Sequence, residues 1–264
     1  MRAVSFFSGG ISSFFATLRY LEQHDLDTDL SGPVVLLFTD TMTEDGDLYR
    51  FLEESVGFLS TRFDVKWERL GDGRDIWEVF RDRKMLGNTR ADLCSRILKR
   101  EPARKWIEEN TSEDVDLIFG YNWDEVHRHE RAKPHWAPRR VVSPLTTPPY
   151  RTRQEMMAQL ADSGMEPPRL YKMGFSHNNC GGGCVKAGQG HFSHLLKVLP
   201  DVYADWEQNE EKLREQLGDV SILRDRQGGT TTPLTLKEFR QRQEAGQPCD
   251  LWDVGGCGCF EEEP

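Results

Sequence analysis

Ser8-Gly9-Gly10-Ile11-Ser12-Ser13 stands between an apolar run, Ala3–Phe7, and a stretch of helical periodicity, and its residue types suit the holding of an anion. Adjacent glycines let backbone N–H groups approach a phosphate without Cβ obstruction, and the positive end of the following helix dipole would point at the same place. The hydroxyls of Ser8, Ser12 and Ser13 add donors. Glycine pairs also serve plain strand-to-helix connections. Position after the first strand, where open α/β sheets bind ligands, favours the anion site.

Three other stretches carry reactive side chains. Cys180-Gly181-Gly182-Gly183-Cys184 lets two thiolates converge on one metal or cluster, and because zinc knuckles more often use two intervening residues the spacing leaves the metal open. Cys257-Gly258-Cys259 suits either metal ligation or a thiol relay with persulfide or disulfide chemistry. His127 to Arg140 is the most basic segment of an acidic protein. It suits a phosphate or polyanionic substrate, and equally a solvated loop offsetting nearby acids.

The elements that must position these groups follow from periodicity. Ile11, Phe14, Phe15, Leu18 and Leu21 form one face of a helix, and Pro33–Phe38 is a continuous apolar run, as expected of a strand covered on both faces. A helix over 47–61, a strand over 63–70 and a helix over 76–83 come next. After a break at Gly87-Asn88, residues 92–109 have helical spacing that Pro102 kinks or restarts. Strands over 115–119 and 141–145, a helix over 153–163, and helices over 191–199 and 202–217 complete the pattern. Thr235-Leu236-Lys237-Glu238 is a capping box opening a last helix to Glu244. The alternation predicts an α/β fold, a doubly wound parallel five-stranded sheet over residues 1–175 with a Cys-rich, mainly helical extension over 176–264 packed on it.

At 264 residues the chain can bury a full core, and 37% hydrophobic and 10% aromatic residues argue against disorder. A net charge of −10 argues against a general nucleic-acid or acidic-membrane binder, leaving only local basic grooves for polyanions. No apolar run approaches bilayer-spanning length, so a cytosolic, non-membrane protein is expected. Six cysteines in that setting suit metal ligation or thiol chemistry rather than structural disulfides.

Taken in order, these motifs resemble the phosphoadenosine phosphosulfate reductase branch of the adenine nucleotide alpha hydrolase, or PP-loop ATP pyrophosphatase, superfamily, over roughly Ala3 to Lys186. Ser8–Ser13 is similar to the family's Ser-Gly-Gly-x-Asp-Ser loop, with Ser12 where aspartate usually stands. Asp40-Thr41-Met42-Thr43-Glu44 resembles its Asp-Thr-Gly-x-Glu segment, with Met42 in place of glycine. Cys94-Ser95-Arg96-Ile97-Leu98-Lys99 resembles Cys-Thr-x-x-Leu-Lys, and Gly120 with Asp124, Glu125 and Arg128 partly matches Gly-x-Arg-x-x-Glu-Ser-x-x-Arg. Leu170-Tyr171-Lys172-Met173-Gly174-Phe175, followed by Cys180 and Cys184, is similar to Leu-Tyr-x-x-Gly-Phe before a cysteine pair.

The resemblance implies ATP or phosphoadenosine phosphosulfate, with its phosphates on Ser8, Gly9, Gly10, Ser12 and Ser13 and its adenosine flanked by Asp40, Thr41 and Glu44. It makes Lys99 and Arg128 cationic partners of phosphate or sulfate, and Asp124 and Glu125 either Mg²⁺ or substrate contacts or a solvated helix start. It groups Cys94 with Cys180 and Cys184 around a 4Fe–4S cluster, zinc being the alternative. Cys249, Cys257, Cys259 or His191 would be the fourth ligand, and an inert buried thiol is the competing role for Cys94. The implied activity is ATP α–β cleavage and acceptor adenylation coupled to sulfur transfer. The alternatives are phosphoadenosine phosphosulfate reduction, whose C-terminal Glu-Cys-Gly-Leu-His segment is missing here, and a noncatalytic nucleotide-responsive metal-binding protein. The acceptor is a small molecule or a nucleic acid held by the basic segment, and a homodimer is compatible with all three activities.

Overall fold

A computed structural model describes residues 1–24, 32–88, 92–226 and 229–256; Cys257 and Cys259 lie outside the described residues. Strands β1 (Ala3–Phe6), β2 (Val34–Asp40), β3 (Val65–Gly71), β4 (Asp116–Ile118) and β5 (Arg140–Val142) form a wholly parallel sheet in the order β3-β2-β1-β4-β5. Strand order reverses between β1 and β4. Open α/β sheets form their ligand crevice at such a switch point, outside the carboxyl ends of the strands.

Side-chain alternation sends residues of each strand to opposite faces, and both faces are covered, which is why β1 and β2 are buried along their whole length. On one face Phe7, Leu36, Phe38 and Ile118 pack with α1 (Ile11–His24) and α2 (Gly46–Ser60). On the other, Val4, Phe6, Leu37, Leu117 and Phe119 pack with helix residues that come later in the chain. These are Ala103 and Ile107 of α5 (Glu101–Asn110) and Ala132 and Trp136 of α6 (Val126–Trp136). Between β3 and α5 run α3 (Ile76–Arg83), the short α4 (Leu93–Ser95) and a π-helical turn, Arg96–Arg100. Pro102 sits in the first turn of α5, where a missing N–H removes no helical bond, so the chain restarts there.

The basic stretch 127–140, expected as a loop, is a correction: Val126–Trp136 is helical, with Pro134 in its last turn. Tertiary packing overrides its poor local pattern. Trp136 is 4% exposed against Phe6 and Phe119, with the Arg104 guanidinium 4.3 Å over its ring.

Beyond α7 (Arg153–Asp162) and α8 (Arg169–Lys172), a third apolar cluster gathers α9 (Gln189–Val198), α10 (Pro200–Leu217) and α11 (Leu236–Glu244). The antiparallel hairpin β6 (Leu223–Asp225) and β7 (Thr232–Leu234) joins them. Residues on both sides of position 175 share this cluster, since Trp77 and Phe80 of α3 and Leu98 pack with Leu170, Tyr203, Trp206 and Phe239. Trp77 and Trp206 meet edge to face at 5.1 Å. Glu210 on α10 is fully buried and accepts from the backbone N–H of Ile222 at 2.7 Å and of Leu236 at 2.6 Å, tying hairpin and last helix to one side chain. No helix among the described residues is long and apolar enough to cross a membrane.

Candidate active site

At the carboxyl end of β1 the chain turns through Gly9, whose φ of 75° and position, with an added Cβ only 2.7 Å from Leu48 Cγ, admit no side chain. Ser13 Oγ donates to the Gly10 carbonyl at 2.8 Å and closes the turn into α1. The end of β4 meets the same place from the neighbouring strand. A Cβ on Gly120 would lie 2.7 Å from Ser13 N, so only glycine lets β4 approach the first turn of α1. Asn122, just beyond, donates from Nδ2 to Ser12 Oγ at 3.1 Å. Ser12, where an aspartate was the family expectation, thereby ties the two strand ends together.

These elements wall a cavity of about 330 Å³. Of the residues singled out in the sequence, Ser8, Gly10, Ser12, Ser13, Lys99, Asp124, Glu125 and Arg128 line it. Gly9 contributes its carbonyl, which accepts from Asn178 Nδ2 at 3.0 Å. The lining also includes Tyr171 of the Leu-Tyr-x-x-Gly-Phe segment, and Arg153, His177 and Asn178, which motif spacing did not single out. That segment is a signal that could have found the group.

Three cations face the cavity. Lys99 is carried in by the π-helical turn and is 4% exposed; its Nζ lies 3.3 Å from Glu44 Oε1. Glu44 in turn accepts from Thr41 Oγ1 at 3.0 Å and from the Cys180 backbone N–H. A buried carboxylate compensated this way keeps the ammonium in place at low dielectric. Arg128 pairs with Glu125 and lies 4.8 Å over the Tyr121 ring, and Arg153 lies 5.3 Å over Tyr171, so cation–π contact orders both guanidiniums. His177 is pushed down to about 4, chiefly by burial and further by the nearby His191, Lys99 and Arg153, and is neutral at pH 7.

Other singled-out residues stand apart from this cavity. Asp40 is 3% exposed, and its carboxylate accepts from Tyr49 Oη and the Met42 backbone N–H, each at 2.8 Å, and from Arg69 Nε at 3.0 Å. Its acceptor capacity is spent on the fold. Cys180 and Cys184 are buried in the C-terminal apolar cluster, with partly buried Cys94 packed against it. Among the described residues, no three His, Cys, Asp or Glu side chains form a group that could hold a metal ion. The glycines between the cysteines serve packing: a Cβ on Gly183 would lie 2.2 Å from Trp206, and one on Gly181 would lie 3.1 Å from the Thr43 carbonyl.

No protein-family model matches the chain, and no curated protein matches its sequence. Solved structures similar to it include phosphoadenylyl-sulfate (PAPS) reductase from Candida auris in a phosphate complex, with TM-score 0.44 and 14% identity over 66% of this chain and 78% of that one. Another is the U34-tRNA thiolase NcsA from Methanococcus maripaludis with its 4Fe–4S cluster, with TM-score 0.43 and 15% identity over 100% of this chain and 78% of that one.

Proposed function

We propose that the chain is an adenine-nucleotide enzyme that cleaves ATP between its α and β phosphorus atoms and adenylates an acceptor. The observation that carries this is the meeting, in one cavity at the β1/β4 switch point, of the Ser8–Ser13 loop, the start of α1 and the cations Lys99, Arg128 and Arg153. Backbone N–H groups at a helix start and buried or ring-stacked cations are the complement of a polyphosphate.

In the proposed step an acceptor oxygen attacks the α-phosphorus, the bond from that phosphorus to the bridging oxygen breaks, and pyrophosphate leaves with the electron pair. Negative charge grows on the leaving oxygens. Lys99 and the loop N–H groups, fixed before the reaction, stabilise that charge without reorganising. Asp124 and Glu125 line the same cavity and offer the hard oxygen donors that Mg²⁺ prefers. Mg²⁺ bound there would neutralise phosphate charge. Sulfur transfer is the finer part of the proposal: the Cys180 backbone N–H bonds the Glu44 that pairs with Lys99, which ties this cysteine to the cavity wall.

A product assay tests the reaction. The protein incubated with Mg²⁺, α-labelled ATP and a crude fraction of small-molecule and RNA acceptors is expected to release pyrophosphate and to leave the labelled AMP on an acceptor. Sulfite released from phosphoadenosine phosphosulfate with a thiol reductant, and no pyrophosphate from ATP, would replace this proposal with the reductase.

A further inference from the structure

His177 is the one histidine among the described residues that lines the cavity, and its ring is held from two sides. The next residue, Asn178, is 1% exposed and donates from Nδ2 to the Gly9 carbonyl at 3.0 Å, which pins the backbone to the phosphate loop. The imidazole stacks on that of His191, with centroids 5.7 Å apart and planes at 13°. His191 is itself buried and donates from Nε2 to the Gly182 carbonyl at 2.7 Å.

The two ring nitrogens of His177 meet different surroundings. Nδ1 is buried and has no hydrogen-bond partner among the described residues. Nε2 is neither buried in that way nor hydrogen-bonded among the described residues, and the half-buried ring reaches the cavity, so Nε2 is the nitrogen open to it. Buried N–H groups without an acceptor are rarer in folded proteins than acceptors without a donor. The proton of the neutral ring therefore sits on Nε2, and a second proton on Nδ1 is opposed. Burial, and after it His191, Lys99 and Arg153, act against the charged form in the same direction.

A ring in this state presents one N–H to the cavity and no lone pair. It cannot take a proton from the attacking acceptor, because its basic nitrogen faces the protein interior. It can donate, and Lys99 and Arg153, whose charges reach it across the same cavity, mark an anion as what it donates to.

We infer that His177 is a fixed, uncharged hydrogen-bond donor, giving Nε2–H to a phosphate oxygen of the bound polyphosphate, and that it is not the general base of the reaction. This rests on the nucleotide assignment above. An uncharged donor adds a directed contact among the cations of the wall without repelling them. Its protonation does not change between about pH 5 and 8, where an ordinary histidine titrates.

Two isosteres separate the nitrogens, since a glutamine amide reaches the place of Nε2 and an asparagine amide that of Nδ1. In calorimetric titration of the full chain with inorganic pyrophosphate and Mg²⁺, His177→Gln is expected to bind within about threefold of wild type. His177→Asn is expected to bind about tenfold more weakly, through loss of one hydrogen bond to a charged group. Pyrophosphate release from ATP is expected to follow the same order. Nitrogen-15 NMR of the wild-type imidazole, assigned through the backbone, is expected to show the neutral Nε2–H tautomer between about pH 5 and 8, and this reading stands even where a variant fails to fold. Equal pyrophosphate affinity of the two variants, whether unimpaired or weakened, would overturn the donor, and release lost in both with affinity intact would mark a general base instead. A ring protonated on Nδ1, or one that gains charge at an ordinary histidine's pH, would overturn it as well. A wild type that binds neither ATP nor pyrophosphate refutes the nucleotide assignment itself and this inference with it.

Discussion

Met42 holds a left-handed backbone, with φ of 56°, where the resembled segment has glycine, and its side chain is 59% exposed. The conformation is fixed by the Asp40 carboxylate, which accepts from the Met42 N–H. Left-handed geometry costs a side-chain-bearing residue roughly 1–2 kcal/mol, and glycine gives back about 0.5–1 through unfolded-state entropy. Met42→Gly is therefore expected to raise stability by about 0.5–1 kcal/mol in urea unfolding. Lys99 behaves oppositely. Lys99→Met leaves Glu44 buried without its cation and should destabilise by about 3–5 kcal/mol, with pyrophosphate release from ATP lost in whatever fraction remains folded. At this scale the sequence made Ser8, Ser12, Ser13, Lys99 and Arg128 visible, because each sits in a motif with a chemical purpose. Asn178 and His177 were not visible: what places them on the cavity is a contact to Gly9 across 169 positions and the fold of the chain after α8, neither written as spacing.

Elements bring these residues together through close approaches. The carboxyl end of β4 can reach α1 only because position 120 has no Cβ: a methyl there would sit 2.7 Å from Ser13 N and 2.8 Å from Ser13 Cα, both backbone atoms. Gly120→Ala is expected to push the two elements apart, destabilising by about 1–3 kcal/mol and weakening ATP binding more than it weakens the fold. Titration beside urea unfolding separates the two effects. The parallel sheet was legible because β1 and β2 are unbroken apolar runs joined by helices. The helical state of α6 was not. Its only buried residues are Ala132 and Trp136, and Pro134 disguises the rest, so tertiary contact decides its structure. The π-helical turn that delivers Lys99 was equally hidden inside a stretch read as helical with a kink or restart at Pro102, a register change of the kind that recurs at functional sites.

Across the whole molecule, a doubly wound sheet supplies the cavity, and the C-terminal helices close around α3 and the π-helical turn to hold one wall of it. Glu210 is the titratable keystone of that closure. Burial pushes its carboxyl up to about 7 from an ordinary 4.5, with the two backbone N–H bonds opposing. A carboxyl raised on folding contributes stability that is fully present below pH 4.5 and is lost as pH rises through 7, a change of about 3 kcal/mol over that window. Unfolding across pH 4.5–7 should show this downward slope, and Glu210→Gln, which cannot ionise, should flatten it. The account stands most directly on the affinity of the cavity for ATP. Calorimetry with Mg²⁺ is expected to show ATP binding that inorganic pyrophosphate competes away, weakened by Ser8→Ala through a lost donor and abolished by Gly10→Val through blocked access to the loop. ATP affinity unchanged in folded Gly10→Val protein, or no ATP binding by the wild type, would contradict it.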